Sequence, residues 1–424
     1  MFTNINDFIA WIESQKRTSP KVSLKKMRKY CEIIGNPQQN LRFIHIGGTN
    51  GKGSTVSYLK NILRDAGLNV GTFISPYVVC FNERIGYNEE YISDDELLHY
   101  GNLLLTYYPK FSEYGLENPT FFEALTLISF LFFASKKDID VVILEVGLGG
   151  LLDSTNIIIP LVSVITNVSY DHMKILGNTL EEIALNKLGI AKTNVPLFTT
   201  YDERLANLFI DYTNEKKTPL YFVYPNDIQN IKVSLTETTY TYKDFNYSLQ
   251  LLGHYQACNS VLSIEVAKYL QKYFPITHDN IVRGLKNTTW PGRIEVLRQE
   301  PLMIVDGAHN EGGIESLVSF IKDVNLDKKT RIIFAVSHDK EKDVMIKKLE
   351  EVAFEMIFTE YHYKRSNRAE ELYNLSTHPN KHYILEVKEL IEELIDNNDQ
   401  MMNVFCGSLY FASEVRKILL SQKG

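Results

Sequence analysis

Two hydrophobic rhythms run along the chain. From residue 42 to residue 192, short apolar runs alternate with amphipathic stretches. RFIHI (42–46), VGTFIS (70–75), DVVILEV (140–146) and LVSVITN (161–167) are apolar and rich in Val and Ile. That is the pattern of parallel strands covered on both faces. STVSYLKNILRDAG (54–67) has the spacing of a helix that stops at Gly67. SDDELLHYGNLLLTYY (93–108) and TLEEIALNKLGIAK (179–192) predict helices opened by capping boxes, Ser93 with Glu96 and Thr179 with Glu182. ALTLISFLFFA (124–134) is too short to span a bilayer and predicts a buried helix. The N-terminal MFTNINDFIAWIESQKRTS predicts an amphipathic helix with Phe8, Ile9, Trp11 and Ile12 near one side.

From Tyr201 to Tyr247 the rhythm changes. Thr, Tyr and Asn dominate, and the alternation in KVSLTETTYTY predicts an antiparallel ribbon. After NTTWPGR (287–293) the first rhythm returns: LMIVDGAHN, RIIFAVSHD, EMIFTEY and NVFCGSLY each precede a helical stretch. The pattern predicts an α/β protein with mostly parallel sheets and a boundary near Pro291, giving domains 1–290 and 291–424. A length of 424 residues suits two domains.

Composition narrows the function. With 44% apolar and 23% charged residues the chain reads as globular, and a net charge of −7 argues against a nucleic-acid footprint. Cys31, Cys80, Cys258 and Cys406 are scattered, which suits neither a disulfide framework nor a zinc site. Reduced thiols in a cytoplasmic protein are the expectation, with no secretory pattern at the N-terminus and no membrane partner.

The chemistry gathers at strand ends. IHIGGTNGKGST (44–55) runs from a strand through four glycines and one lysine into a helix. It departs from the common phosphate-loop pattern, which needs glycine at Ile46 and a hydroxyl residue at Gly53. The physics survives the mismatch. Gly47, Gly48, Gly51 and Gly53 allow amides to converge on an anion, the helix N-terminus adds partial positive charge, and Lys52 adds a full one. Ser54 or Thr55 can meet magnesium. The bland alternative is a glycine-rich turn with a solvated lysine. Ser75 in ISP and Glu145 in LEVGLGG lie at other strand ends, where open α/β sheets bind ligands, and both are hard oxygen donors. Asp171 and His172 follow a further strand. Lys187 lies among Leu185, Leu188 and Ile190. Desolvation there would lower its pKa and permit a carbamate, although an exposed lysine is the default.

Seven motifs together resemble one family. GTNGKGST, ISP, LEVGLGG, DHMKILGNTLEEIA, GHYQACNS, WPGRIEVL and DGAHN occur in the order and rough spacing of the folylpolyglutamate synthase and dihydrofolate synthase family, within the Mur ligase superfamily. The likeness extends from GNPQ at Gly35 to GSLYFASEVR near the end. It implies an N-terminal P-loop-type ATPase domain, a smaller C-terminal Rossmann-like domain, and an active site between them that closes to exclude water. It implies that ATP phosphorylates a folate or pteroate carboxylate, and that the amine of L-glutamate attacks the acyl phosphate. The matched motifs imply nucleotide contacts from Asn50, Gly51, Lys52, Gly53, Ser54, Asn259, Arg293, Asp306 and His309. They imply two Mg²⁺ ions, with K⁺ a further candidate, carried by Ser75, Glu145, His172 and a carbamylated Lys187. Lys52, His172 and Lys187 are the catalytic candidates. The substrate side comprises Phe121, Phe122, Glu123, Ala124, Leu152, Asp153 and Ser154. Folate, L-glutamate and ATP are then the partners of a monomer.

Two departures matter. Relatives commonly have Arg where this chain has Leu151, and E-K-A-G-I where it has Asn186-Lys187-Leu188-Gly189-Ile190. The lost arginine counts against dihydropteroate more than against folate. A cell-wall Mur ligase is the close alternative, but only 43 residues precede Ile44, too few for its extra uridine-binding domain. A nucleotide-binding regulatory module is the other, and it has no need of Glu145, His172 and Lys187.

Overall fold

The computed structural model describes residues 1–16, 23–324, 328–363, 366–397 and 399–421; the Arg17–Ser19 end of the N-terminal stretch lies outside them. The chain forms two compact units, the first from Met1–Val168, His172–Pro225 and Asn259–Leu285, the second from Ser169–Asp171, Asn226–Cys258 and Lys286–Gly424.

The first unit is built on β1 (Phe43–Gly47), β2 (Val70–Phe73), β3 (Ile85–Tyr87), β4 (Glu90–Tyr91), β5 (Val141–Glu145), β6 (Val162–Ile165), β7 (Leu197–Thr200) and β8 (Leu220–Val223). Their order is β4-β3-β2-β5-β1-β6-β7-β8. The sheet is parallel except for β3 and β4, which pair antiparallel at one edge. Every residue of β1, β2, β5 and β6 is buried, as their unbroken apolar runs require. Helices cover both faces. Phe121–Ser135 is apolar nearly all round and buried with Phe8, Phe111 and Leu144. Leu180–Leu188 packs through Ile183, Ala184 and Leu188 in a cluster with Ile165 and Leu197. The N-terminal helix Ile5–Ser14 buries Phe8 and Ile12, and both expected capping boxes form.

The second unit holds an antiparallel ribbon, β9 (Ile228–Val233), β10 (Thr238–Tyr242) and β11 (Phe245–Leu249), in the order β11-β10-β9. It also holds a sheet of β12 (Glu295–Gln299), β13 (Leu302–Val305), β14 (Thr330–Phe334), β15 (Glu355–Phe358), β16 (Lys381–Tyr383) and β17 (Met402–Cys406). The order is β12-β13-β17-β14-β15-β16, and only β12 runs antiparallel. One face is covered by Glu311–Val324 and Lys342–Glu350, the other by Val387–Asn397 and Leu409–Ser421.

One expectation changes. The ribbon begins at Ile228 rather than near Tyr201, because Ala206–Lys216 is a helix that buries Ala206, Phe209 and Thr213, and β8 extends the parallel sheet. Within the second unit, Val233, Leu235 and Tyr255 pack with Leu317, Ile321 and Ile332. Among the described residues no helix is long and apolar enough to cross a membrane, and all four cysteines are free thiols.

One polar side chain sits at the centre of the first sheet. His45 in β1 is fully buried, its Nε2 lies 2.8 Å from Thr155 Oγ1, and burial, helped by the charge of Lys192, pushes its pKa from 6.5 down to about 3. Above pH 6.5 the ring is neutral in folded and unfolded chains alike. Between 6.5 and about 3 the unfolded chain takes up a proton that the folded chain refuses, so stability falls as the pH falls. His45→Gln keeps a donor without the titration, and is expected to lose less urea-unfolding free energy than the parent between pH 7 and pH 4. Parallel losses would mean His45 does not contribute.

Candidate active site

The glycine loop is built by its neighbours. β1 delivers it between β5 and β6, with Ile46 opposite Glu145 and Gly47 opposite Ile165. From the end of β6, Thr166 Oγ1 donates to Asn50 O at 2.5 Å and Asn167 Nδ2 donates to the same carbonyl at 2.9 Å. Asn167 also accepts, through its backbone carbonyl from Thr49 N at 2.9 Å and through Oδ1 from Asn50 N at 3.1 Å. Two glycines are obligatory here. A Cβ on Gly48 (φ +139°) would fall 1.9 Å from Thr166 Oγ1, and one on Gly51 (φ +81°) 2.4 Å from Asn259 Oδ1. Asn259, on the helix His254–Leu270, is thus brought against the loop. Gly51 caps Lys52–Asp65, so the helix N-terminus and Ser54 start at the loop. The Lys52 ammonium donates to Gly48 O at 3.2 Å and Thr49 O at 3.0 Å, which holds its charge over the loop.

Glu145 ends β5 and is 5% exposed, and its Oε2 accepts from Ser75 N at 3.1 Å. The Glu145 carboxylate is thus held against the Ser75 backbone. Lys187 is 3% exposed, which removes the default reading of a solvated lysine. Its helix end carries the following loop: Leu151 N donates to Asn186 O at 2.7 Å and Asn156 Nδ2 to Gly189 O at 2.9 Å. His172, at φ +50°, precedes the short helix Met173–Leu176 and is exposed. Among the described residues no group of three or more His, Cys, Asp or Glu side chains is set to hold a metal.

On the substrate side, Phe121, Ala124 and Ser154 are buried, whereas Phe122 and Leu152 are partly open. Glu123 is engaged structurally: its Oε2 accepts from Thr120 N at 2.8 Å and Thr120 Oγ1 at 2.9 Å in a capping box, with Lys26 at 3.5 Å. Asp153 spends both oxygens within the chain, on Gly147 N (3.1 Å), Leu148 N (3.0 Å), Thr155 N (2.9 Å) and Thr155 Oγ1 (2.6 Å). Leu151 is exposed.

In the second unit, Asp306 ends β13 and folds the next loop, accepting from Ile294 N at 2.9 Å and Ala308 N at 2.8 Å. Burial raises its pKa, against the Arg293 charge and these two amides. Arg293 Nη1 donates to Gly292 O at 3.2 Å and lies beside Gly307. His309 Nδ1 is 2.8 Å from Gly307 O and must donate there, because a carbonyl only accepts. Burial and the Lys340 charge push its pKa down to about 4, so the ring is neutral at pH 7. Asp171 completes this cluster, with Lys340 Nζ at 2.7 Å, Asn310 Nδ2 at 3.0 Å and His309 Nε2 at 3.8 Å.

Thr166, Asn167 and Lys340 escape the motif reading. The available signal is position: each is a polar residue just past an apolar strand run, TN after LVSVI and DK after IIFAVSH.

Comparison with known proteins defines the class. The model of the Mur ligase middle domain matches residues 46–267, and that of the Mur ligase glutamate ligase domain residues 292–409. The chain is 36% identical to the dihydrofolate synthase/folylpolyglutamate synthase of Bacillus subtilis, over 99% of this chain and all of that protein. It is 32% identical to the folylpolyglutamate synthase of Lacticaseibacillus casei, again over 99% and 100%. A solved FPGS–AMPPCP–folate complex matches with TM-score 0.86 at 30% identity, covering 99% of this chain and 100% of that one. The folylpolyglutamate synthase of Thermotoga maritima matches with TM-score 0.84 at 29% identity, covering 99% and 97%. The chain belongs to the folylpolyglutamate synthase/dihydrofolate synthase family of Mur ligases.

Gly48→Ala is expected to weaken ATP binding by about tenfold or more, since each tenfold is about 1.4 kcal/mol and the methyl must displace Thr166. Isothermal titration checks this, and unchanged affinity would remove the loop from the phosphate site.

Proposed function

We propose that this chain is an ATP-dependent ligase that joins L-glutamate to the carboxylate of a folate through an acyl phosphate. One observation carries most weight: the braced glycine loop and the buried Glu145 carboxylate lie at the carboxyl ends of adjacent central strands, with Ile46 opposite Glu145. Forming an acyl phosphate brings two anions together, which demands fixed positive charge and no side-chain nucleophile. The loop amides, the helix N-terminus and Lys52 supply it for the nucleotide phosphates. Folylpolyglutamate synthase structures solved with AMPPCP support ATP as the nucleotide. Arg293 and His309 are assigned as further nucleotide contacts, with Asp306 shaping the loop beside them. His309 is neutral at pH 7 and presents an unprotonated Nε2.

Magnesium fits the residues present. A buried carboxylate beside a serine offers hard oxygen ligands, and Mg²⁺ commonly completes its shell with phosphate oxygens and water. Ser75, Glu145, His172 and Lys187, the last as a carbamate, would hold two such ions. When bound they neutralise developing phosphate charge. The carbamate needs a neutral amine: its nitrogen bonds to CO₂ carbon and releases a proton. Lys187 is buried, so its amine lies out of bulk water.

The acceptor enters beside Phe122, Leu152 and the Asp153 loop. Exposed Leu151 places no cation there, so tetrahydrofolate is the expected acceptor and 7,8-dihydropteroate the poorer one. Phosphate release from ATP with Mg²⁺ and L-glutamate, with mass spectrometry of the product, tests this for each acceptor. Release without a glutamate-extended product would overturn the ligase reading, and equal use of both acceptors would overturn the role given to Leu151.

Two substitutions test the assignments. Lys187→Ala is expected to lower turnover by about 100-fold, the upper scale for disturbing a metal site. A short carboxylate in the buffer should restore part of it. Arg293→Ala is expected to weaken ATP affinity by about tenfold, the loss of one charge-assisted contact. Parent-like values in either case would strike that residue from the site.

A further inference from the structure

A buried relay runs from the centre of the first sheet to the substrate side. Thr155 Oγ1 has one proton and lies 2.6 Å from Asp153 Oδ1, which can only accept. It therefore accepts from His45, and the imidazole proton is on Nε2, 2.8 Å away. His45 Nδ1 is then a bare acceptor, buried and without a hydrogen-bond partner. Such an orphan carries the desolvation cost of a buried polar atom left unpaired. An apolar residue in the middle of β1 would avoid that cost, so the histidine's gain is to be sought in what its proton holds.

The other end of the relay is the loop after Glu145. Asp153 Oδ2 accepts from Gly147 N and Leu148 N. Gly147 in turn seats an aromatic ring: a Cβ there would fall 2.5 Å from Phe122 Cζ, so ring and backbone are in direct contact. Phe122 lies 5.6 Å from Phe73, centroid to centroid, and keeps a partly open face. Any shift of the Gly147 backbone therefore moves Phe122 and the loop beside Glu145.

We propose that His45, Thr155 and Asp153 form a positioning relay for the acceptor, fixing the Gly147–Leu148 backbone and with it the Phe122 wall against which a flat heteroaromatic ring lies. The proposal rests on the ligase reading. It gives Asp153 an effect on the acceptor through the loop backbone and makes Thr155 Oγ1 the link that can be cut without changing charge or shape. It also separates the two substrates: β1 leads to the phosphate loop, but the relay leaves β1 on the acceptor side.

The experiment compares Thr155→Val, Thr155→Ser and the parent enzyme for acceptor KM, ATP KM and kcat, with thermal midpoints recorded. Thr155→Val is expected to raise the acceptor KM by about tenfold while the ATP KM stays within about twofold. Thr155→Ser should restore the acceptor KM. A merely structural role would move both KM values together with the thermal midpoint, and that result overturns the relay. So does an unchanged acceptor KM. A double-mutant cycle with Phe122→Leu supplies a second test: the two changes should be strongly non-additive, and full additivity would show that the relay does not act through Phe122. A parent enzyme that neither turns over nor binds the acceptor would overturn the ligase reading and this inference with it.

Discussion

Everything at the candidate site depends on how β1 is clamped. It is the one strand of its sheet that carries the glycine loop, and it lies between β5, which ends in Glu145, and β6, which ends in Thr166 and Asn167. A loop of glycines has more conformational freedom than any other peptide, and converging its amides on an anion costs entropy. Thr166 and Asn167 remove that freedom in advance. Their four hydrogen bonds to Thr49 and Asn50 fix the backbone from outside, so binding energy need not be spent on ordering it.

The same logic governs the carboxylates. Glu123, Asp153 and Asp306 are all buried acids, and each is satisfied by backbone amides, with hydroxyls added at Glu123 and Asp153. They shape loops and a helix start. Asp171 differs, because a lysine and an asparagine side chain meet it, as befits a group held for its charge. In each unit, committed acids thus shape the loops that carry the candidate residues.

Short-range features are legible in the sequence. Buried parallel strands, the glycine loop and the capping boxes at Ser93 and Thr179 follow from patterns within a dozen residues, and they form. The same hydroxyl-x-x-Glu pattern occurs at Thr120–Glu123, where the family motif points instead to the substrate side. What the sequence conceals is set by register. Asn167 touches Asn50 across 117 positions, and His45 reaches Thr155 across 110. Nothing local marks either pair; the sheet order creates them. The extent of the ribbon is hidden for another reason, since the helix Ala206–Lys216 has too few apolar positions to stand out among Thr, Tyr and Asn.

The path of the chain has a consequence for how the molecule is made. The polypeptide passes between its two units at 168/169, 171/172, 225/226, 258/259 and 285/286. A single cut near Pro291 would release one piece bearing a ribbon stripped of its packing and another lacking the residues that cover Leu317 and Ile321. During synthesis the ribbon emerges before the sheet it rests on, with Val233 and Leu235 waiting for segments still in the ribosome. Such late, distant closures slow folding and expose apolar surface meanwhile. The chain is therefore better regarded as one interlaced folding problem than as two modules in tandem.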